Sequence, residues 1–289
     1  MHRRRLASRF QWATIAPVEI LGQLAHAEIR RFVRSFGQRR VALSAECVTT
    51  PLAARPDQFI EFYLGECYRI SVDNGPSTLA PEAAVVGPQT RPGLRLHMSG
   101  DIDVFTIRFQ PTGFHRLFGV LMPTLADQGI AIGDILGHAA TGLEDAIRSA
   151  DGFHARVVAA QQWVEKRALR SSRESGLDYA ARLLVATRGR TRIDAIADRS
   201  GLSLRQFQRR FTAEVGVSPK FYARTLRLEA ALAGRNRYPE RSWTTIVHDA
   251  GYADQAHFIR DCQLLAGATP TAFVAQMSGV AEIFNCETA

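Results

Sequence analysis

The stretch that decides the fold is Ile196-Ala-Asp-Arg-Ser-Gly201-Leu-Ser-Leu-Arg-Gln-Phe207-Gln-Arg-Arg-Phe211, which runs on to Gly216-Val-Ser-Pro219. A degenerate second copy follows as Ile246-Val-His-Asp-Ala-Gly251-Tyr-Ala-Asp-Gln-Ala-His-Phe258-Ile-Arg-Asp-Cys262, which runs on to Gly267-Ala-Thr-Pro270. The offset is 50 residues up to the glycine (201 to 251) and 51 after it (207 to 258), so the second turn is one residue longer. Each copy predicts a helix, a glycine-centred turn and a second helix, which together form a helix-turn-helix unit.

Boundary signals that recur in register support this interpretation of both copies. Gly201 and Gly251 stand where the first helix of each copy must stop, a position that often takes a left-handed backbone. Each second helix begins at a capping side chain, and each copy closes with a capping residue followed by proline. The capping groups are Ser203 with Gln206 and, in the second copy, Asp254, and the proline pairs are Ser218-Pro219 and Thr269-Pro270.

The spacing of the apolar residues predicts which face of each second helix is exposed. In the first copy Leu204, Phe207 and Phe211 are expected to pack inward, and in the second copy Phe258 and Cys262. The outward sets are then Arg205, Gln208, Arg209 and Thr212, and Ala256, Ile259, Arg260 and Gln263 with Gln255 and His257 beside them. Arginine and glutamine pair with guanine and adenine edges in the major groove, and an isoleucine can contact a thymine methyl. A solvated stripe explains such a face on one helix, but equivalent arginines in both copies favour DNA contact.

One helix, predicted from Pro219 to Ala233 and ended by Gly234, connects the two units. Lys220, Arg224 and Arg227 share one side of it, which suits either phosphate contacts or ordinary solvation. From Ser203 to Arg241 the chain has nine basic and three acidic residues, a net charge of +6. If this helix fixes the spacing, the two recognition helices can enter successive major grooves on one face of the duplex, about 34 Å apart.

These residues closely resemble the AraC/XylS family of bacterial transcription regulators, over Leu177 to about Gln276. The resemblance also covers Arg227 to Ala231 in the connecting helix. It implies sequence-specific promoter binding, with contact positions at Arg205, Gln208, Arg209, Gln255, His257, Ile259 and Arg260. The second unit departs from the family pattern in two places. Cys262 stands where the family usually has Phe, with Asp261 beside it, and His248-Asp249 replaces the more usual small residues of the unit's first helix.

The sequence before the helix-turn-helix units predicts a different secondary structure, which is mainly β. Residues 1–40 carry nine arginines against Glu19 and Glu28, and the apolar spacing from Ile20 to Phe36 predicts one helix that ends at Gly37. Short β-prone runs with turn signals between them predict a small antiparallel barrel or sandwich. The runs are Val41 to Val48, Phe59 to Val72, Ala83 to Val86, Leu94 to Met98 and Val104 to Phe109. From Gly113 onward the pattern predicts helices, including one from Phe153 to Arg170 that packs in the core or forms a dimer contact.

The sequence therefore predicts an α+β chain of two domains. Residues 1–170 are expected to form a β-rich sensor or dimerisation domain, and 171–176 a linker. Residues 177–277 are expected to form the all-α domain with two helix-turn-helix units, and 278–289 a tail. The first domain is similar to the β-rich accessory domain beside some AraC-type domains, at Gly87-Pro88-Gln89-Thr90, Ile107 to Pro111 and Gly113 to Gly119. That resemblance implies a cupin-like sensor or dimerisation domain. From the two-domain architecture we expect a homodimer, control by a small-molecule effector or a partner, and contact with RNA polymerase.

Composition narrows the class of protein without deciding it. The 289 residues carry a net charge of +8 with 46% hydrophobic content, which is typical of a globular protein. Apolar runs are too short to span a bilayer, and Arg9, Gln11 and Glu19 interrupt any signal-peptide core, so a cytoplasmic, nucleoid-associated protein with no membrane partner is expected. The four cysteines, Cys47, Cys67, Cys262 and Cys286, lack CxxC spacing and are expected to be reduced thiols.

The main alternative is a cupin-like metal-dependent enzyme fused to a DNA-binding module. Such a site needs clustered imidazole and carboxylate ligands. The β-prone region has only His97, with His115 after its last strand, and lacks an HxH pair. Repair-coupled chemistry at Cys47 or Cys67 is disfavoured because neither has a neighbouring histidine. The sequence thus predicts a regulator without catalytic residues, metal or cofactor.

Overall fold

The computed structural model describes residues 18–43, 47–171 and 173–277, which run from a β-rich half into a helical half. The predictions about the basic segment 1–17, the tail 278–289 and Cys286 lie outside these residues. In the three described ranges, no helix combines the length and the apolar character of a membrane span.

Two antiparallel sheets form the β-rich half. The strands are β1 Glu19–Leu24, β2 Val33–Ala42, β3 Val48–Leu52, β4 Phe59–Tyr63, β5 Arg69–Val72, β6 Thr78–Leu79, β7 Ala83–Val86, β8 Leu94–Met98, β9 Asp101–Phe109 and β10 Gly129–Ala131. One sheet has the order β1-β2-β9-β4-β7-β10 and the other β3-β8-β5-β6. The prediction of a sandwich is therefore confirmed, and the closed barrel is not formed.

The helix predicted from Ile20 to Phe36 is wrong. Strand β1 covers its first part, and one helical turn follows in which the Arg30 amide donates to the His26 carbonyl at 2.9 Å. Strand β2 then begins at Val33 and pairs with β9 as far as Ala42, with one shift in register between Val33 and Ser35. The i, i+3, i+4 spacing of Ile29, Phe32 and Val33 spans this turn and the first residue of β2, and all three residues are buried. Strand pairing with residues some 70 positions away overrides the local helical period.

Other strand limits also differ from the sequence prediction. The run from Phe59 to Val72 is two strands in different sheets, since β4 pairs with β7 and β9 whereas β5 pairs with β6 and β8. The run from Val41 to Val48 contains the end of β2 and the start of β3. Strand β10 interrupts the region predicted as helical by pairing with β7. The predicted runs Ala83 to Val86 and Leu94 to Met98 are confirmed as β7 and β8.

The helices occupy the rest of the described chain. They are α1 Gly113–Phe118, a 3-10 turn Met122–Leu125, α2 Ile132–Leu136, α3 His138–Ser149, α4 Gly152–Ala168, α5 Gly176–Ala186, α6 Ile193–Arg199, α7 Leu204–Val215, α8 Pro219–Arg237, α9 Trp243–Asp249, α10 Gln255–Ala266 and α11 Pro270–Met277. Helix α4 confirms the helix predicted from Phe153 to Arg170. It packs in the core, where Phe153 lies 6.2 Å from Phe105 of β9 between ring centroids.

The connecting helix α8 is longer than predicted, because it continues past Gly234 to Arg237. Gly234 serves packing at this point. A β-carbon there would lie 3.3 Å from the Ile246 Cγ2 atom of α9, so glycine lets the two helices approach closely.

Polar contacts join the two halves directly. The Thr112 hydroxyl donates to the Asp178 Oδ1 atom at 2.5 Å, and the Arg116 Nε lies 3.6 Å from Asp178 Oδ2, with both side chains buried. Asp178 also closes a capping box with Ser175 at the start of α5. The first turn of the helical half is thus built partly from residues of the β-rich half.

Candidate nucleic-acid interface

Two helix-turn-helix units are present, as the sequence predicts. Helices α6 and α7 form the first and α9 and α10 the second. Gly201 and Gly251 end the first helix of each unit with φ values of +70° and +85°, a left-handed backbone that disfavours residues with a β-carbon. From its glycine, the second unit takes one residue more to reach its next helix, as the offset in the sequence predicts.

The capping interactions fix where each recognition helix starts. In α7 the Gln206 amide donates to Ser203 Oγ at 3.3 Å and the Ser203 amide donates to Gln206 Oε1 at 3.1 Å, which is a capping box. In α10 the His257 amide donates to Asp254 Oδ1 at 2.7 Å. Ser218 caps α8 in the same way, with Pro219 at the first helical position. The predicted caps at these three helices are confirmed.

The inward face of α7 contains Phe207 and Phe211, which are fully buried and pack against each other at 5.5 Å between ring centroids. The prediction that Leu204 packs inward is wrong, because 44% of this residue is exposed. It is the first residue of α7, ahead of the part that packs against the domain core. Together with Ile193, Gln208 and Lys220 it borders an open surface groove.

The outward face of α7 is polar and unpaired. Arg205, Gln208 and Arg209 are exposed, and neither arginine makes an ion pair with any described residue. The Thr212 hydroxyl is half-buried and donates to the Gln208 carbonyl at 2.9 Å. Lys220, at the start of α8, is exposed beside Gln208 on the shared groove. The structure thus brings these five predicted contact residues onto adjoining surface.

The outward face of α10 has less positive charge. Gln255, Ala256 and Arg260 are exposed, whereas His257 and Ile259 are partly buried. The Arg260 Nε donates to the Ala256 carbonyl at 3.3 Å, which leaves the rest of its guanidinium free to turn outward. The His257 ring packs edge-on against Tyr252 at 5.1 Å between centroids.

Arg224 has a different environment from the phosphate contact predicted for it. Its Nε and Nη2 atoms donate to Asp261 Oδ1 at 3.0 and 2.6 Å, and only 3% of the Asp261 side chain is exposed. This ion pair ties α8 to α10. Arg227 is similarly engaged, since it donates to the Gly189 carbonyl at 2.9 Å and lies over the Tyr252 ring. The sequence shows Asp261 as a family departure, but not that its partner is Arg224, 37 positions away.

Cys262, the neighbour of Asp261 in the same departure from the family pattern, is fully buried in the core of the second unit. Burial, together with the negative charge of Asp261, raises the pKa of its thiol to about 12. The thiol is therefore protonated at neutral pH and packs as a small apolar side chain in the place that Phe211 has in the first unit.

His97, the histidine considered for a metal site, bonds with hydroxyl groups. Its Nδ1 lies 2.9 Å from Thr49 Oγ1 and its Nε2 lies 2.9 Å from Ser71 Oγ. Across residues 18–43, 47–171 and 173–277, no group of three histidine, cysteine or acidic residues is arranged to hold a metal ion.

Two family models match separate parts of the chain. Residues 196–276 match the family model described as a helix-turn-helix domain. Residues 27–131 match a domain of unknown function (DUF6597). No curated protein sequence matches the chain.

Solved structures with low sequence identity show distant similarity to this chain. ToxT from Vibrio cholerae O395 is 11% identical, with a TM-score of 0.46, over 85% of this chain and 99% of that one. ToxT from Vibrio cholerae strain SCE256 with bound unsaturated fatty acid is 12% identical, with a TM-score of 0.42, over 94% and 99%. The AraC-like transcriptional activator CuxR is 14% identical, with a TM-score of 0.29, over 73% and 79%.

Proposed function

We propose that this chain is a DNA-binding transcription regulator of the AraC type that reads promoter DNA with two recognition helices, a proposal supported by the match of residues 196–276 to a helix-turn-helix domain. Helices α7 and α10 would enter successive major grooves on one face of the duplex. Arg205, Gln208, Arg209 and Thr212 would contact bases from α7. Gln255, Ala256, His257, Ile259 and Arg260 would do so from α10.

One observation carries this proposal: both units present an exposed arginine at the equivalent position, Arg209 and Arg260, and neither has an ion-pair partner in the described chain. An arginine that is free of a carboxylate can form the bidentate contact with guanine. The net charge of +6 from Ser203 to Arg241 favours phosphate contacts around these residues.

We further propose that residues 1–170 act as the sensor or dimerisation domain, that 171–176 link the two domains, and that 177–277 bind DNA. An effector would bind the β-rich half and change promoter occupancy or polymerase contact. A homodimer would double the number of grooves that are read.

Selection of duplexes from a random pool tests the DNA-reading proposal. The purified protein should enrich a site with two motifs about 10 base pairs apart, centre to centre, which is one helical turn. Mapping of bound DNA across the source genome should recover the same pair. A pool that stays random after several rounds, with binding that varies only with salt, would contradict sequence-specific reading.

Lys220→Ala is expected to weaken binding by a similar factor on every duplex. Its exposed ammonium lies beside α7 and suits a phosphate contact, which positions the protein without reading bases. Titrations at several salt concentrations should show the slope of log K against log salt reduced by about 1. Lys166→Ala, which removes an exposed lysine on α4, is the control and should leave the slope unchanged. Equal slopes for both variants would exclude the phosphate contact.

A further inference from the structure

A cavity of about 380 Å³ lies between the two sheets of the β-rich half. Its walls are mostly aliphatic, with the Tyr63 and Tyr68 rings on one side. The aliphatic residues include Leu52, Ile70, Leu79, Ala84, Leu94 and Leu96. A cavity of this size with apolar walls is typical of sites for small organic molecules.

Arg55 supplies a positive charge to this cavity that the surrounding protein leaves uncompensated. The Arg55 Nε atom is buried and has no hydrogen-bond partner among the described residues. Two carboxylates lie close enough to act on it electrostatically, Asp57 and Glu61, but each has another arginine. Glu61 Oε1 is 2.6 Å from Arg39 Nη2, and Asp57 Oδ2 is 3.0 Å from Arg108 Nη2.

The other carboxylate on the cavity wall besides Glu61 is Asp127, and it is also engaged. Its Oδ1 accepts from the Thr90 amide at 2.6 Å, and its Oδ2 accepts from the Thr90 hydroxyl at 2.6 Å and lies 3.4 Å from Arg91 Nε. The acidic groups on the cavity wall therefore have partners of their own. Among the charged side chains of the wall, Arg55 is therefore the one whose guanidinium is available to pair with a ligand.

The position of Arg55 is fixed from both sides. Its guanidinium lies over the Phe59 ring at 4.6 Å from the centroid. Its backbone forms an isolated bridge with Gln89, with N–O distances of 3.0 and 2.8 Å. Burial lowers the pKa of Arg55, yet a guanidinium stays charged at neutral pH. Arg55 is only partly exposed, and a cation in such a place without an ion-pair partner is costly unless an anion joins it.

We propose that this cavity binds a small organic anion with an apolar body, whose negative group pairs with Arg55 and whose body lies against the aliphatic and tyrosine walls. This assigns a ligand class to the effector and rests on the proposed function only for its effect on DNA binding. Guanidinium pairs bidentately with carboxylate or phosphate, so the charge-bearing group is one of these.

The loop that carries Arg55 contacts both recognition helices. The Ala54 amide donates to the Leu265 carbonyl in the last turn of α10 at 2.7 Å. The Gln58 Nε2 donates to the Val215 carbonyl at the end of α7 at 2.9 Å, and to the Pro111 carbonyl at 2.8 Å. An anion that pairs with Arg55 at the cavity wall would act on residues 54–58 and hence on their contacts with α7 and α10.

Calorimetry with defined probes tests the site. The probes are benzoate, 4-phenylbutanoate and indole-3-acetate, each with its neutral primary amide. At least one anion should bind the full chain at least tenfold more tightly than its amide. Arg55→Gln should lower that affinity at least tenfold, and Arg55→Lys should restore part of it. Arg69→Gln removes an exposed charge on β5 that bonds with Ser77 outside the cavity, and it should leave the affinity within twofold of wild type.

Two results would overturn the proposal: no anion binds more tightly than its amide, or Arg55→Gln binds the anions as tightly as wild type while circular dichroism shows it folded. If Arg55→Gln does not fold, Arg55→Lys decides, because a lysine that keeps the charge should keep the preference for anions. DNA binding is measured separately on the ligand-free protein. Its failure would count against the proposed function and leave the anion result standing.

The link to DNA is tested with Gln58→Met, which keeps the length of the side chain but removes both donors. The bound anion should change duplex affinity in wild type by at least threefold. In Gln58→Met that change should be smaller, with the affinity for the anion itself preserved. An unchanged effect on duplex affinity would exclude the Gln58 contact as the connection.

Discussion

Replacing Arg209 and Arg260 together by alanine is expected to weaken binding to the specific duplex by about 2–6 kcal/mol, since each bidentate contact with guanine contributes about 1–3 kcal/mol of discrimination. This corresponds to a loss between about thirty-fold and twenty-thousand-fold. The two residues lie on different helices and share no contact, so the single losses should add. Each single variant should lose about 1–3 kcal/mol and relax the preference at one base.

Competition titrations with the selected duplex and with single-base variants of it measure both effects. Arg170→Ala, which removes an exposed arginine after α4, controls for the loss of positive charge and should leave base preference unchanged. Binding to unrelated duplexes should fall much less than binding to the selected site. If the double variant keeps full preference at every base, the recognition role of the two arginines is wrong.

Asp261→Ala is expected to lower the free energy of unfolding by about 3 kcal/mol, because removing one member of a buried ion pair leaves the other charge uncompensated. Asp261 is almost fully buried, and 24% of its partner Arg224 is exposed, so the loss should be at the lower end of the range for buried pairs. Because the pair connects α8 to α10, the second recognition helix should also bind DNA less well.

Urea unfolding followed by circular dichroism measures the difference. Asp249→Ala is the matched control, since Asp249 pairs with Arg241 at 2.7 Å on the surface, with 54% of its side chain exposed. Exposed pairs contribute about 1 kcal/mol or less. Replacing both Arg224 and Asp261 by alanine should cost less than the sum of the single losses. Equal losses for Asp261→Ala and Asp249→Ala would show that burial of the pair does not matter.

The helical half was predictable because its signals are local in sequence. Gly201, Ser203 and Gln206 determine a turn, a cap and a helix start within six residues, and the duplicated copy confirms the register. The same kind of local pattern gave a wrong prediction near the beginning of the chain, where a helix was expected and strands are present. Phe36 fits a helical period with Phe32, but its partner in the sheet is Ile107 of β9, and no local spacing shows that pairing.

The features that could not be predicted from the sequence are contacts between residues that lie far apart in the chain. Arg224 is on the predicted face of α8, yet only the folded chain brings Asp261 against it. The uncompensated charge of Arg55 depends on Arg39 and Arg108 taking the nearby carboxylates. Leu204 was misplaced because periodicity carries no information on where a packed face begins at the end of a helix.

The triple use of Asp178 limits how freely the two halves can be exchanged between relatives. Its carboxylate completes the cap of α5, accepts from Thr112 and lies beside Arg116. A chimera that joins this helical half to a foreign sensor would leave that buried carboxylate without two of its partners. A chimera that folds would therefore have to carry a hydroxyl and a cation at the positions of Thr112 and Arg116. The helical half thus requires these two residues of the β-rich half as well as its own sequence.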